Sequence, residues 1–133
     1  MRPFALLLAL CATPALAQSA LPTGPWTGTI EWANAAPVAL TGDIEECTEG
    51  LKIRLGSEDG AYGTEEVLRV EDATAEGAAF QFGLENTRRG YRLTCTAARQ
   101  GDGLFAGRCQ TADGTWARLR LEPPAVAMIG CSE

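Results

Sequence analysis

Apolar and polar side chains alternate along most of this chain, and that period of two constrains its fold more than any other feature. Trp26, Gly28, Ile30 and Trp32 share one phase, with Thr27, Thr29 and Glu31 in the other. Val38, Leu40, Gly42 and Ile44 repeat the pattern, as do Leu51, Ile53 and Leu55 around Lys52 and Arg54. A weaker segment, 66–71, offers Leu68 and Val70, and Phe80, Phe82 and Leu84 form a clearer one. Two more segments, 91–97 and 105–111, flank Gly101-Asp102-Gly103, and Ala117, Leu119 and Leu121 supply the eighth. After position 17 no window carries an apolar period of 3.6, so helices are not expected.

The punctuation fits this reading. Asp59-Gly60, Asp102-Gly103 and Asp113-Gly114 are pairs that tolerate positive φ and close tight hairpins. The acidic, glycine-rich stretch 56–65 is expected to be a longer, mobile loop, and Pro123-Pro124 ends the strand region because proline cannot donate to a sheet ladder. Eight short strands with one apolar face each must close or stack. The expected fold is all-β: an antiparallel up-and-down meander of about eight strands forming a small barrel, with a flattened two-sheet sandwich as the alternative.

The first residues, MRPFALLLALCATPALAQ, combine Arg2, an apolar run from Phe4 and a small-x-small site at Ala15-Leu16-Ala17. They read as a secretory signal peptide over 1–17, followed by a single domain over 18–133. The run falls short of the ~20 residues that span a bilayer, and Leu10 before Cys11 argues against a lipoprotein site. Cleavage after Ala17 leaves 116 residues and removes Arg2 from the 11 basic groups, so 10 face 17 acidic ones and the net charge is −7. That charge disfavours a nucleic-acid partner or an anionic membrane, and no stable membrane insertion is expected once the leader is gone. The expected address is the periplasm or the exterior of a bacterial cell.

Cys11 leaves with the leader, and Cys47, Cys95, Cys109 and Cys131 remain. An even count in an exported chain of this size favours two disulfides. With the turn centred on 101–103, Cys95 faces Cys109 across a hairpin, near enough to bridge. Cys47 and Cys131 would then tie the tail to the early strands. Three connectivities are open to four cysteines, and this pairing is the preferred one. Without histidine or a CxxC spacing, a zinc site is disfavoured, and no cofactor is expected.

The same absence removes the usual general base and the serine triad, and oxidised thiols are not nucleophiles. Adjacent carboxylates such as Glu45-Glu46 point to opposite faces of a strand. Glu58, Asp59, Glu65 and Glu66 offer oxygen ligands without the EF-hand order, so a solvated acidic surface is the preferred reading over a calcium site. Arg88-Arg89 reads as a wet hairpin tip. The inward aromatics Trp26, Trp32, Phe80, Phe82, Tyr91 and Phe105 read as core, while Trp116 is out of phase with Leu119 and Leu121 and is expected on a rim or outer face. Trp116, Glu58, Asp59, Glu65 and Glu66 are the candidate binding surface.

Gly24-Pro25-Trp26 on the first strand resembles the G-x-W opening of the calycins, which include lipocalins, avidins and fatty-acid-binding proteins. That resemblance implies a closed barrel with Trp26 sealing one end and a basic residue of the last strand, Arg118 or Arg120, packed across it. The phenylalanine strand followed by a cysteine hairpin ending Gly107-Arg108-Cys109 is similar to small exported bacterial proteins of unassigned role. The functional expectation is a non-catalytic exported barrel that binds a protein partner or small apolar ligand through its loop face or interior. An inhibitor of a cationic enzyme such as lysozyme is the narrower alternative, and a barrel enzyme using one interior carboxylate is the other.

Overall fold

The computed structural model describes residues 21–68, 79–126 and 131, so the leader expected at 1–17 lies outside the described residues. Eight strands follow one another: β1 (Gly24–Glu31), β2 (Val38–Cys47), β3 (Gly50–Ser57), β4 (Tyr62–Leu68), β5 (Phe80–Asn86), β6 (Tyr91–Arg99), β7 (Phe105–Gln110) and β8 (Trp116–Glu122). Each pairs antiparallel with the next, and β1 returns to pair with β8 from Thr27↔Glu122 to Glu31↔Arg118. This last ladder closes the sheet into a barrel, so the two-sheet sandwich is not formed.

Alternation fills the interior. Trp26, Ile30, Leu40, Ile44, Ile53, Leu84, Leu93, Leu119 and Leu121 are all buried, and each such side chain contributes about 1.5–3 kcal/mol relative to exposure. At the end where β1 begins, here the lower end, Trp26 meets the rings of Phe105 and Phe80 edge-on at 5.1 and 6.2 Å. Its indole N–H donates to the Pro22 carbonyl at 3.0 Å. Gly42 and Gly107 lie where neighbouring backbones crowd the inner face. A Cβ at Gly42 would run into the Arg54 carbonyl, and one at Gly107 into that of Thr96. Tight curvature therefore depends on their missing side chains.

Both disulfides take the expected pairing. Cys95 pairs with Cys109 in the β6–β7 register, their Cα atoms 3.9 Å apart and both residues fully buried within the core. Cys47, at the lower end of β2, bonds Cys131 with a Cα separation of 4.9 Å and anchors the tail. Closing the 14-residue separation limits the unfolded chain by about 3 kcal/mol.

Stretch 56–65 differs from expectation. It holds no long loop: β3 runs to Ser57 and β4 starts at Tyr62, leaving a four-residue turn. The Asp59 carboxylate accepts from the Ser57 hydroxyl at 2.7 Å and the Ala61 N–H at 3.0 Å, and Gly60 takes φ 78°. One of the acidic groups that suggested a solvated loop, Asp59, thus locks a hairpin. The weaker strand expected at 66–71 is part of β4, displaced toward the N-terminus, and its residues past Leu68 lie outside the described residues.

Candidate functional site

The upper end of the barrel is built from four turns and differs in chemistry from the lower. Trp32 continues the inward phase of β1 one residue past the strand, and lies half-buried at the rim. Tyr62 opens β4, Asn86 ends β5 and Tyr91 opens β6. The ladders place them side by side, Tyr62↔Asn86 and Asn86↔Tyr91, so three polar inward side chains share one level of the barrel.

These groups form a hydrogen-bonded belt. The Trp32 indole N–H donates to the Tyr62 hydroxyl oxygen at 2.9 Å, the two tyrosine hydroxyls meet at 3.3 Å, and the Asn86 amide nitrogen donates to the Tyr91 oxygen at 3.3 Å. The Arg89 backbone N–H donates to the Asn86 side-chain oxygen at 2.9 Å, which fixes the orientation of that amide. Trp32 and Tyr91 also pack edge to face at 6.4 Å. Burial, reinforced by the Tyr62 hydroxyl, holds the Tyr91 phenol above its ordinary pKa of 10.0.

Above the belt lies an open cleft of about 670 Å³, walled by Trp32, Tyr62, Tyr91 and Asn86, with Arg89 on one turn and residues 111–115 on another. Arg88 and Arg89, expected together at a wet tip, divide their roles. Arg88 straps the neighbouring turn, donating to the Asp59 carbonyl at 2.9 Å and pairing with its carboxylate at 3.5 Å, whereas Arg89 lines the cleft. The 111–115 turn is held by Asp113, whose carboxylate accepts the Thr111 hydroxyl and, at 3.1 Å, the Thr115 N–H. Those bonds, the hydroxyl first, hold its pKa below the ordinary 3.8, so it stays ionised on the rim.

The residues singled out from the sequence are dispersed. Trp26 sits in the lower core, but Arg118 and Arg120 do not pack across it. They alternate with buried Ala117, Leu119 and Leu121 and so project from the outer wall, opposite in phase to Trp26. The expected cation–π closure is therefore corrected, because a period of two places residues 118 and 120 outside whenever 119 and 121 are inside. A guanidinium that does meet a ring at this end is that of Arg99, 5.3 Å from the Phe105 ring. Trp116 is 48% exposed on the outer face, with the Arg108 guanidinium 4.5 Å over its ring.

The four acidic residues do not share a face. Glu58 is exposed and Asp59 folded into the β3–β4 turn, whereas Glu65 points outward to Lys52 at 3.2 Å and Glu66 takes the inward phase. Glu45, Cys47 and Cys131 converge closely enough for a metal ion, but the two sulfurs are bonded to each other and offer no thiolate. Comparison with protein-family models, curated proteins and solved structures finds no match for this chain.

The belt was only half visible in the sequence. The sequence pattern assigns Trp32 and Tyr91 to the core and Tyr62 to the 56–65 loop, and no motif marks Asn86. The available signal was Asn86 itself, a polar residue continuing the inward phase of Phe80, Phe82 and Leu84.

Proposed function

We propose that this protein is a non-catalytic exported binding protein that receives a small, ring-bearing molecule in the cleft at its upper end. The observation that carries the proposal is the cleft itself. Its volume suits a small ligand, ring faces supply apolar contact, and a few polar groups fixed by mutual hydrogen bonds supply orientation. The interior below is occupied by core side chains, so the mouth rather than the lumen is the favoured place of binding. Export is supported by the leader-like composition of 1–17 and by two disulfides. A closed eight-stranded meander opening on Gly24-Pro25-Trp26 is also what a calycin-like chain would present.

Inhibition of a cationic enzyme draws less support. Asp59, Glu65 and Glu66, which would have met such a partner, are already paired with Arg88, Lys52 and Arg92. The small-molecule reading is tested by titrating naphthalene derivatives while following the indole N–H resonances of the three tryptophans. Saturable shifts at Trp32 with Trp26 unmoved are expected. Binding that moves only Trp116, or no binding by any derivative, defeats it.

A further inference from the structure

The belt carries a count of protons that restricts the ligand. The Trp32 Nε1 proton and one of the two Asn86 Nδ2 protons are each spent on a tyrosine oxygen. Only one proton can lie between the Tyr62 and Tyr91 oxygens, although two hydroxyls meet there. If Tyr62 donates, its oxygen accepts from Trp32, the Tyr91 oxygen accepts from both Tyr62 and Asn86, and the Tyr91 O–H is left over. If Tyr91 donates, the Tyr62 O–H is left over instead. Either way one hydroxyl proton has no acceptor within the belt.

The neighbouring charge points the same way. Arg89 lines the same cleft with five N–H donors and no acceptor, and among the described residues its guanidinium makes no ion pair. Among the described residues the one carboxylate lining the cleft is that of Asp113, on the 111–115 turn, with an oxygen committed to Thr111 and Thr115. Its charge favours a ligand whose oxygen end is turned toward the tyrosines and Arg89.

We infer that the cleft selects a ring-bearing ligand by a hydrogen-bond-accepting oxygen, a carboxylate or carbonyl, set against the Tyr62–Tyr91 pair and Arg89. This rests on the mouth being a binding site and adds the ligand's chemical class. An acceptor satisfies the spare O–H, whereas an ammonium group would bring further donors to a wall where donors already outnumber acceptors.

Three probes of one shape test it: 2-naphthoate, 2-acetonaphthone and 2-naphthylmethylammonium, titrated against the full chain with Trp32 as reporter. The two oxygen-bearing probes should bind at least about tenfold more tightly than the ammonium, because only they give the spare O–H an acceptor. Arg89→Gln should weaken naphthoate by about tenfold and leave acetonaphthone within about twofold, because only the charged oxygen draws on the guanidinium strongly. Equal or tighter binding of the ammonium at Trp32 overturns the inference while leaving the mouth as a binding site. Failure of all three to move Trp32 overturns both.

Discussion

The Glu66 carboxylate accepts the backbone N–H of Gly83 across a seam where the strands on either side have already parted. Among the described residues β4 and β5 pair only at Tyr62↔Asn86 and Gly63↔Glu85, the sparsest of the ladders. Below that point the Glu66 side chain substitutes for the missing strand contact. It also accepts from Thr64 Oγ1 at 3.2 Å and pairs with Arg92 at 3.1 Å, and the Arg92 guanidinium lies over Gly83 where a side chain would collide.

Removing this bridge should weaken the barrel. Glu66→Ala leaves the Gly83 N–H without its acceptor and is expected to cost about 1–3 kcal/mol in urea unfolding. Glu66→Gln keeps an acceptor oxygen and should cost less. Equal stability of wild type and alanine variant would show that the seam is held elsewhere.

High pH should also loosen the fold. The Tyr91 phenol is held above 10.0 in the folded chain, so the folded state keeps a proton that the unfolded state releases first. Its contribution is complete below about pH 10, the unfolded value, and is lost as pH rises through the folded value. Absorbance titration at the phenolate band should show a component above 10 that Tyr91→Phe removes.

Low pH acts on the turns. The Ser57 hydroxyl and Ala61 N–H depress the Asp59 pKa, and the Thr111 hydroxyl and Thr115 N–H depress that of Asp113. The stabilisation is present above the unfolded carboxylate value, about 3.9, and disappears as pH falls through the lower folded values. In Asp113→Asn the acid limb of the stability profile should flatten, and an unchanged profile would count against this account.

The inner face tolerates no bulk at its tightest bends. Gly107→Ala places a methyl group against the Thr96 carbonyl and should destabilise the barrel by roughly 2–4 kcal/mol, whereas Gly101→Ala, with open space around it, should be near neutral. Comparison of thermal midpoints distinguishes them.

The barrel was legible because its signals are local. A period of two at β1, β2, β5, β6 and β8 and three Asp-Gly turns define strand, face and direction within a few residues. Each of these turns repeats one device, the aspartate oxygen accepting the N–H two residues on, at Ala61, Leu104 and Thr115. The cleft was not legible because its parts are distant in sequence. Tyr62 and Trp32 are 30 residues apart, and their bond follows from closure of the whole roll. Glu66 misled for the opposite reason. A carboxylate beside Glu65 reads as a wet surface, and only the parting of β4 from β5 gives it the Gly83 N–H to accept.

The Cys95–Cys109 bond has no surface for a redox partner to touch once the strands have met, because both residues are fully buried. Thiol–disulfide exchange needs in-line approach of an attacking sulfur, so oxidation must take place on the nascent hairpin or through an opened barrel. Cys47–Cys131 is only half-buried and stays within reach. The two crosslinks therefore differ in access: one is sealed from later correction by the strands around it, while the other is a clasp that a mild reductant should unfasten first.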